Sequence, residues 1–435
     1  MRRVRESWNR FWFAPSPPLN LGLCRALFFG TLFLFYLPQH FTAWGDVSPV
    51  FWEPVFLLRF FHLPQLSAPI LGLLEAIWKM ALLLCCIGLF TRPSGWTAFL
   101  LGAYLFGLQH SFGKVRHHDA ILVLSLGLLA LSRAGDAFSV DRLIRRARGG
   151  PDARPPAPSG EYTWPVRGVW VIMALVFLGA GVSKLQDAGP AWVFSDNMAN
   201  TLIEANYGIT NGPLVPWGLH LAQIGWLTRL MALGALGVEL AYPLALFSRR
   251  ARWLLVPAVL GMQIGIRVIL GPRFVQFMIC NIFWVPWDRV AARVAARLRA
   301  GERYAVLYDG GCGICRRTVA VLERLNALGR LEFLNLHDWA AVQRRFPHLD
   351  RKACFDVMHV VTNRGRTRTG FYAYRTLAWG VPAFWPVLPL LYVPGIPAAG
   401  RSIYAAVAAR RLRGQCALEP ATRPQPRAES QGLES

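Results

Sequence analysis

Two cysteines separated by two residues, Cys312-Gly313-Ile314-Cys315, are the side chains whose type and spacing are best suited to do chemistry. A thiolate attacks a disulfide sulfur, and a second thiol close by resolves the mixed disulfide that results. Asp309 precedes the pair by three residues, and Arg316 and Arg317 follow it directly. The rival uses are half of a zinc site or two inert core thiols. Zinc needs about two more ligands, and His337, His348 and Cys354 show no paired spacing. Redox chemistry is therefore favoured, with no cofactor required. A second candidate is Lys184, closing the run Gly179-Ala180-Gly181-Val182-Ser183. An amine held in an apolar site loses its ordinary pKa of ~10.4 and can take a proton near neutrality. His118 lies close enough in the expected topology to share a pocket with it. The plainer alternative is that Lys184 snorkels to headgroups and His118 only starts a helix.

The dithiol is positioned by a short α/β pattern. Arg303 to Tyr308 reads as a buried strand, Asp309-Gly310-Gly311 as a turn, and the cysteines open a helix with Val319, Leu322 and Leu325 at helical spacing. Strand, turn and Cys-x-x-Cys at a helix start is the thioredoxin-like order. The positive end of the helix lowers a cysteine pKa from ~8.5.

Lys184 belongs to a different kind of sequence. Of the 435 residues, 54% are hydrophobic and only 16% charged, and mean hydropathy is +0.34. Ordinary soluble domains carry about a quarter charged residues. A helix needs about 20 apolar residues to cross ~30 Å of hydrocarbon. Eight stretches come near that, at 19–41, 68–90, 95–113, 118–135, 164–184, 228–247, 251–271 and 273–288. The expected partner of residues 1–290 is thus a lipid bilayer.

The net charge of +23 comes from 43 arginines and only four lysines. The arginines punctuate apolar runs, so they orient spans, and a nucleic-acid partner is excluded. Loop 133–167 holds seven arginines, whereas 185–228 holds no Lys or Arg. By the positive-inside rule, both termini and the dithiol domain fall in the cytoplasm of an inner-membrane protein.

Within the spans, Glu75 and Lys79 sit one helical turn apart, and Glu239 and Arg267 are a candidate interhelical pair. Cys24, Cys85, Cys86 and Cys280 also lie in apolar runs, where a thiol relay or simple apolar packing would use them. Residues 148–165 read as a flexible linker, 379–397 as proline-broken surface turns, and 416–435 as a disordered tail.

Two resemblances extend these readings. His118-Asp119 to Asp141, the run Gly179 to Leu185, and Trp192 resemble the membrane region of vitamin K-dependent γ-carboxylases, shared with bacterial HTTM proteins. Glu239, in Val238-Glu239-Leu240-Ala241-Tyr242-Pro243, matches a recurrent HTTM position. The resemblance implies Lys184 as a base in quinone chemistry and His118 as a stabiliser of the reacting intermediate. The chain departs from the pattern at Met262-Gln263, and a quinone or other lipid-soluble ligand is implied rather than glutamate carboxylation. Tyr308-Asp309-Gly310-Gly311-Cys312-Gly313-Ile314-Cys315 resembles the DCC-type thiol-disulfide oxidoreductases over 303–413. That implies Cys312 as attacking thiol, Cys315 as resolving thiol, and Asp309 as a proton-handling neighbour.

The expected molecule is a helical membrane domain of about eight helices (1–290) followed by a thioredoxin-like domain (301–415). Its expected work is thiol–disulfide exchange with a protein or small-molecule partner. The alternatives are quinone- or lipid-linked chemistry at Lys184, or a non-enzymatic membrane scaffold.

Overall fold

The structure is a computed structural model that describes residues 1–113, 119–149, 154, 156–207 and 212–412. The chain divides into two units, Met1–Ile144 with Arg154–Ala291, and Arg145–Ala153 with Ala292–Ser435.

The first unit is helical. Its main helices are α1 (Pro18–Tyr36), α2 (Ala68–Ile87), α3 (Thr91–His110), α4 (Ala120–Leu131), α5 (Trp164–Ala188), α6 (Gly225–Ala241) and α7 (Arg249–Gly265). Prolines in the first turn of α1, α2 and α5 start those helices where an N–H would lack a partner anyway. The N-terminus of α3 is completed from far along the chain: Asp141 accepts from Phe90 N at 2.9 Å, Thr91 N at 2.8 Å and Thr91 Oγ1 at 2.7 Å. An aromatic knot of Tyr36, Phe41, Trp78 and Phe106 ties α1, α2 and α3 together, with centroids 5.3–6.3 Å apart.

Among the described residues, four helices are long and apolar enough to cross a membrane: Pro18–Tyr36, Ala68–Ile87, Gly160–Ala188 and Arg249–Leu270. The unit has more helices than the eight expected, because several apolar runs break into shorter pieces. The run at 118–135 yields the 12-residue α4. The run at 228–247 stops at Ala241 and restarts as Leu244–Phe247 around Pro243. The run at 273–288 gives only Val275–Cys280 and a 3-10 turn to Trp284. The expected linker is also partly pinned. Ser159 exchanges backbone hydrogen bonds with Ser16 at 3.1 and 3.2 Å, and the buried Tyr162 hydroxyl donates to Asp136 at 2.9 Å. Residues 150–153 and 155, and the expected tail 416–435, lie outside the described residues.

The second unit is a small mixed sheet with helices. Strands β1 (Tyr304–Tyr308), β2 (Leu331–Asn335), β3 (His359–Thr362) and β4 (Thr367–Thr369) lie in the order β2-β1-β3-β4. β1 runs parallel to β2 and antiparallel to β3. The apolar strands β1 and β3 are central and almost wholly buried, as a strand covered on both faces must be. Around them lie α8 (Gly313–Leu325), α9 (Trp339–Arg345), α10 (Arg351–Asp356), α11 (Gly370–Leu377) and α12 (Ile396–Leu412). This is the thioredoxin-like arrangement the sequence suggested. Between α11 and α12, 378–392 forms three short 3-10 turns broken by prolines.

Candidate functional site

The buried strand β1 delivers the chain into a tight turn at Asp309–Gly311. Gly310 N donates to Asn335 Oδ1 at 3.1 Å, and a Cβ on Gly310 would stand 2.5 Å from Asn335 Nδ2, so only glycine fits. Gly311 N donates to Asp309 Oδ1 at 2.9 Å. Cys312 then takes the N-cap position of α8 with extended backbone, and its carbonyl accepts from Arg316 N at 3.0 Å. The positive end of the helix therefore falls on Cys312, the place where a thiolate gains most.

Cys312 is 4% exposed, while Cys315, one turn on, is half-buried and lines a cavity of about 50 Å³. Asp309, Cys354, Met358, Tyr374 and Tyr404 share that cavity wall. Burial pushes the Cys354 thiol up to about 11, so it is a weak nucleophile.

In the sequence His337 stands out only as a zinc-type ligand without a paired spacing. Its Nε2 lies 3.0 Å from Asp309 Oδ1 and accepts from Gly311 N at 3.2 Å. The parallel register explains the meeting. Tyr308 stands opposite Asn335, and Leu336 N donates to Tyr308 O at 2.9 Å, which brings the next residue beside the β1 turn. A histidine two residues past an expected parallel strand was the available signal.

In the helical unit, Lys184 on α5 donates to both carboxylate oxygens of Glu239 on α6, at 2.7 and 2.6 Å. Its ammonium stands 5.3 Å from the centre of the Trp192 ring. Gly181 makes this approach possible, since a Cβ there would stand 2.8 Å from Leu240 Cδ2. The interhelical partner of Glu239 is thus Lys184 and not Arg267. Arg267 instead donates to the carbonyls of Gly212 and Gly271 at 3.2 and 2.8 Å. His118 lies outside the described residues.

Glu75 and Lys79 do pair, at 2.6 Å. Glu75 also accepts from Phe41 N at 2.7 Å and lies 3.0 Å from His40 Nδ1. Lys79 donates to the carbonyls of Leu37 and Gln39, just past the end of α1. A third buried polar group was not read from the sequence: His110 Nε2 lies 3.3 Å from Asp119 Oδ2, whose other oxygen accepts from Gln276 Nε2 at 2.8 Å. Cys24, Cys85 and Cys280 are buried and Cys86 half-buried in the helical core. Among the described residues, no group of three His, Cys, Asp or Glu side chains is placed to hold a metal ion.

Residues 13–270, more than half of the chain, match the family model of the HTTM domain. The chain belongs to the HTTM family. Residues 306–417 match the model of the DCC1-like thiol-disulfide oxidoreductases, so the HTTM domain precedes a redox-type domain in the order the sequence suggested. No curated protein and no solved structure matched the chain. Lys184 and Glu239 fall within the HTTM match; Asp309, Cys312, Cys315 and His337 fall within the DCC1-like match.

Proposed function

We propose that this protein is a membrane-anchored thiol-disulfide oxidoreductase, with its chemistry at Cys312 and Cys315. The supporting observation is Cys312 at the N-cap of α8 with Cys315 one turn later, on a cavity wall shared with Asp309. Cys312 attacks a disulfide, the leaving thiolate departs, and Cys315 displaces the second half to close Cys312–Cys315. Two electrons pass from the dithiol to the partner. In this reading residues 1–290 span the bilayer of the cell's inner membrane, residues 301–415 form the redox domain, and that domain faces the cytoplasm, where the dithiol is kept reduced. The partner is a protein or small-molecule disulfide.

The test is exchange by purified full-length protein with a disulfide substrate. Cys312→Ser should abolish turnover and Cys315→Ser should trap a mixed disulfide. Wild-type activity surviving in Cys312→Ser sinks the reading. An impermeant thiol reagent applied to intact cells tests sidedness, and labelling of Cys312 without permeabilisation overturns the cytoplasmic placement.

A second reading draws on Lys184, whose contact with Glu239 and Trp192 forms a charged site inside apolar helices. Ionisable side chains there are costly and default to function. It makes the HTTM domain the seat of quinone- or lipid-linked chemistry with Lys184 as base. His118 would assist. Loss of function in Lys184→Ala with Cys312→Ser intact would select it.

A further inference from the structure

We propose that His337 is a positioning residue that, with Asp309, carries the proton of Cys315 from the cavity to water; this rests on the dithiol reading above. Asp309 Oδ1 and His337 Nε2 stand 3.0 Å apart, and both atoms are acceptors unless a proton lies between them. Gly311 N–H donates to both, at 2.9 and 3.2 Å. That shared donor can hold the two atoms together with or without a proton between them, so the gap is a place where a proton can enter and leave. Asp309 reaches inward to the cavity wall that Cys315 lines, and its side chain is only 20% exposed. The His337 side chain is 58% exposed, so its ring opens to water. The two side chains therefore run from the cavity wall that half-buried Cys315 lines out to solvent.

Several described groups surround this pair. The Phe355 ring of α10 meets the imidazole edge to face at 5.6 Å, and Arg351 stands 6.0 Å from that ring's centre. Asp338, next in the chain, caps α9 through Ala341 N. On the α8 side stand Cys312, Cys315, Arg316 and Arg317. The cavity adds Cys354, Tyr374 and Tyr404. Among these, imidazole is the group type that changes charge between about pH 5 and 8.

With Cys312 joined to a partner sulfur, the Cys315 proton passes to Asp309 and settles in the gap as carboxylate and imidazolium. The freed electron pair on Cys315 sulfur attacks the Cys312 sulfur. The Cys312–Cys315 bond forms, the Cys312–partner bond breaks, and the partner leaves as a thiolate that takes a proton from water. The imidazolium then releases one proton to solvent.

The test is a single turnover of reduced full-length protein with an aromatic disulfide whose thiolate is coloured. Attack by Cys312 releases one coloured thiolate, and resolution by Cys315 releases a second. Wild type should show a distinct second phase that slows as pH falls. His337→Gln keeps a hydrogen-bond donor beside Asp309 but cannot take up a proton. It should leave the first phase intact, slow the second about tenfold near neutrality and change how its rate varies with pH. His337→Ala should do the same, and Asp309→Asn should match it. A second phase in His337→Gln with wild-type rate and pH profile overturns the relay. If the wild type lacks a second phase, or Cys315→Ser retains it, the dithiol reading itself fails, which is a different outcome.

Discussion

Among its described residues the helical unit holds two lysine–glutamate pairs with the same 2.6 Å separation and opposite surroundings. Glu75–Lys79 joins residues of one helix and is saturated: the carboxylate meets Phe41 N and His40, and the ammonium meets the carbonyls of Leu37 and Gln39. It works as a clasp that fastens the end of α1 to α2. Lys184–Glu239 joins two helices, and among the described residues its two charges hydrogen-bond only to each other. An ammonium has three donors and a carboxylate about four acceptor sites, so this pair keeps capacity that the first has spent. A charge in an apolar helix is thus no guide to function until its partners are counted.

The largest effect that would break this contrast lies at the clasp. Lys79→Ala takes the lysine counter-ion from a buried carboxylate and leaves it only Phe41 N and His40, and we expect a loss of about 3 kcal/mol, read as a fall in thermal midpoint in detergent. An unchanged midpoint would erase the distinction. Replacing both partners sharpens it. Glu75→Leu with Lys79→Met should still cost about 2 kcal/mol or more, since Phe41 N is left without an acceptor. Lys184→Met with Glu239→Leu should come within about 1 kcal/mol of wild type, because isolated buried pairs are replaceable by apolar side chains. Equal losses in the two double variants would refute the idea that saturation separates them.

Thiols repeat the contrast on a smaller scale. Cys354 is 1% exposed and raised from 9.0 to about 11, so at neutral pH it should alkylate about a hundredfold more slowly than an unperturbed thiol. Peptide mapping after brief alkylation checks this, and also shows whether the N-cap thiol Cys312 or the more open Cys315 reacts first. Early labelling of Cys315 alone would reverse the attacking and resolving roles.

The smallest effect belongs to an exposed pair. Arg345 donates to both oxygens of Glu332 at 2.5 and 2.8 Å, which holds the Glu332 carboxyl below the usual carboxylate range. Both side chains are 50% exposed, so the pair is worth about 0.2–1 kcal/mol at most. A depressed folded pKa means that this stability is present above the unfolded value of ~4.3 and is lost as pH falls through the folded one. Arg345→Ala should therefore lower stability slightly at pH 7 and not at all in strong acid, as urea unfolding at the two pH values would show.

What the sequence disclosed followed the range of the interaction. The strand, turn and N-capping cysteine are set by neighbours, and 303–315 could be read directly. So could Glu75–Lys79, one helical turn apart. Glu239 could not be assigned to Lys184 in place of Arg267, because helix pairing is decided by close approach at Gly181, which hydropathy does not encode. His337 escaped because a parallel register, not a spacing, carries it to Asp309. The apolar runs at 118–135, 228–247 and 273–288 were overread, since apolar length does not show where Pro243 or a tightened turn ends a helix.

Thr91 is closed by a carboxylate 50 residues further along the chain. At about 5–20 residues per second, a ribosome has made all of α3 about 2–6 seconds before it makes Asp141. During that interval the N–H groups of Phe90 and Thr91 lack their acceptor, so α3 enters its surroundings with one end unfinished. Asp141 thus acts as a latch on the order of biogenesis, and its loss should be felt first in the yield of newly made protein, before any effect on the finished molecule.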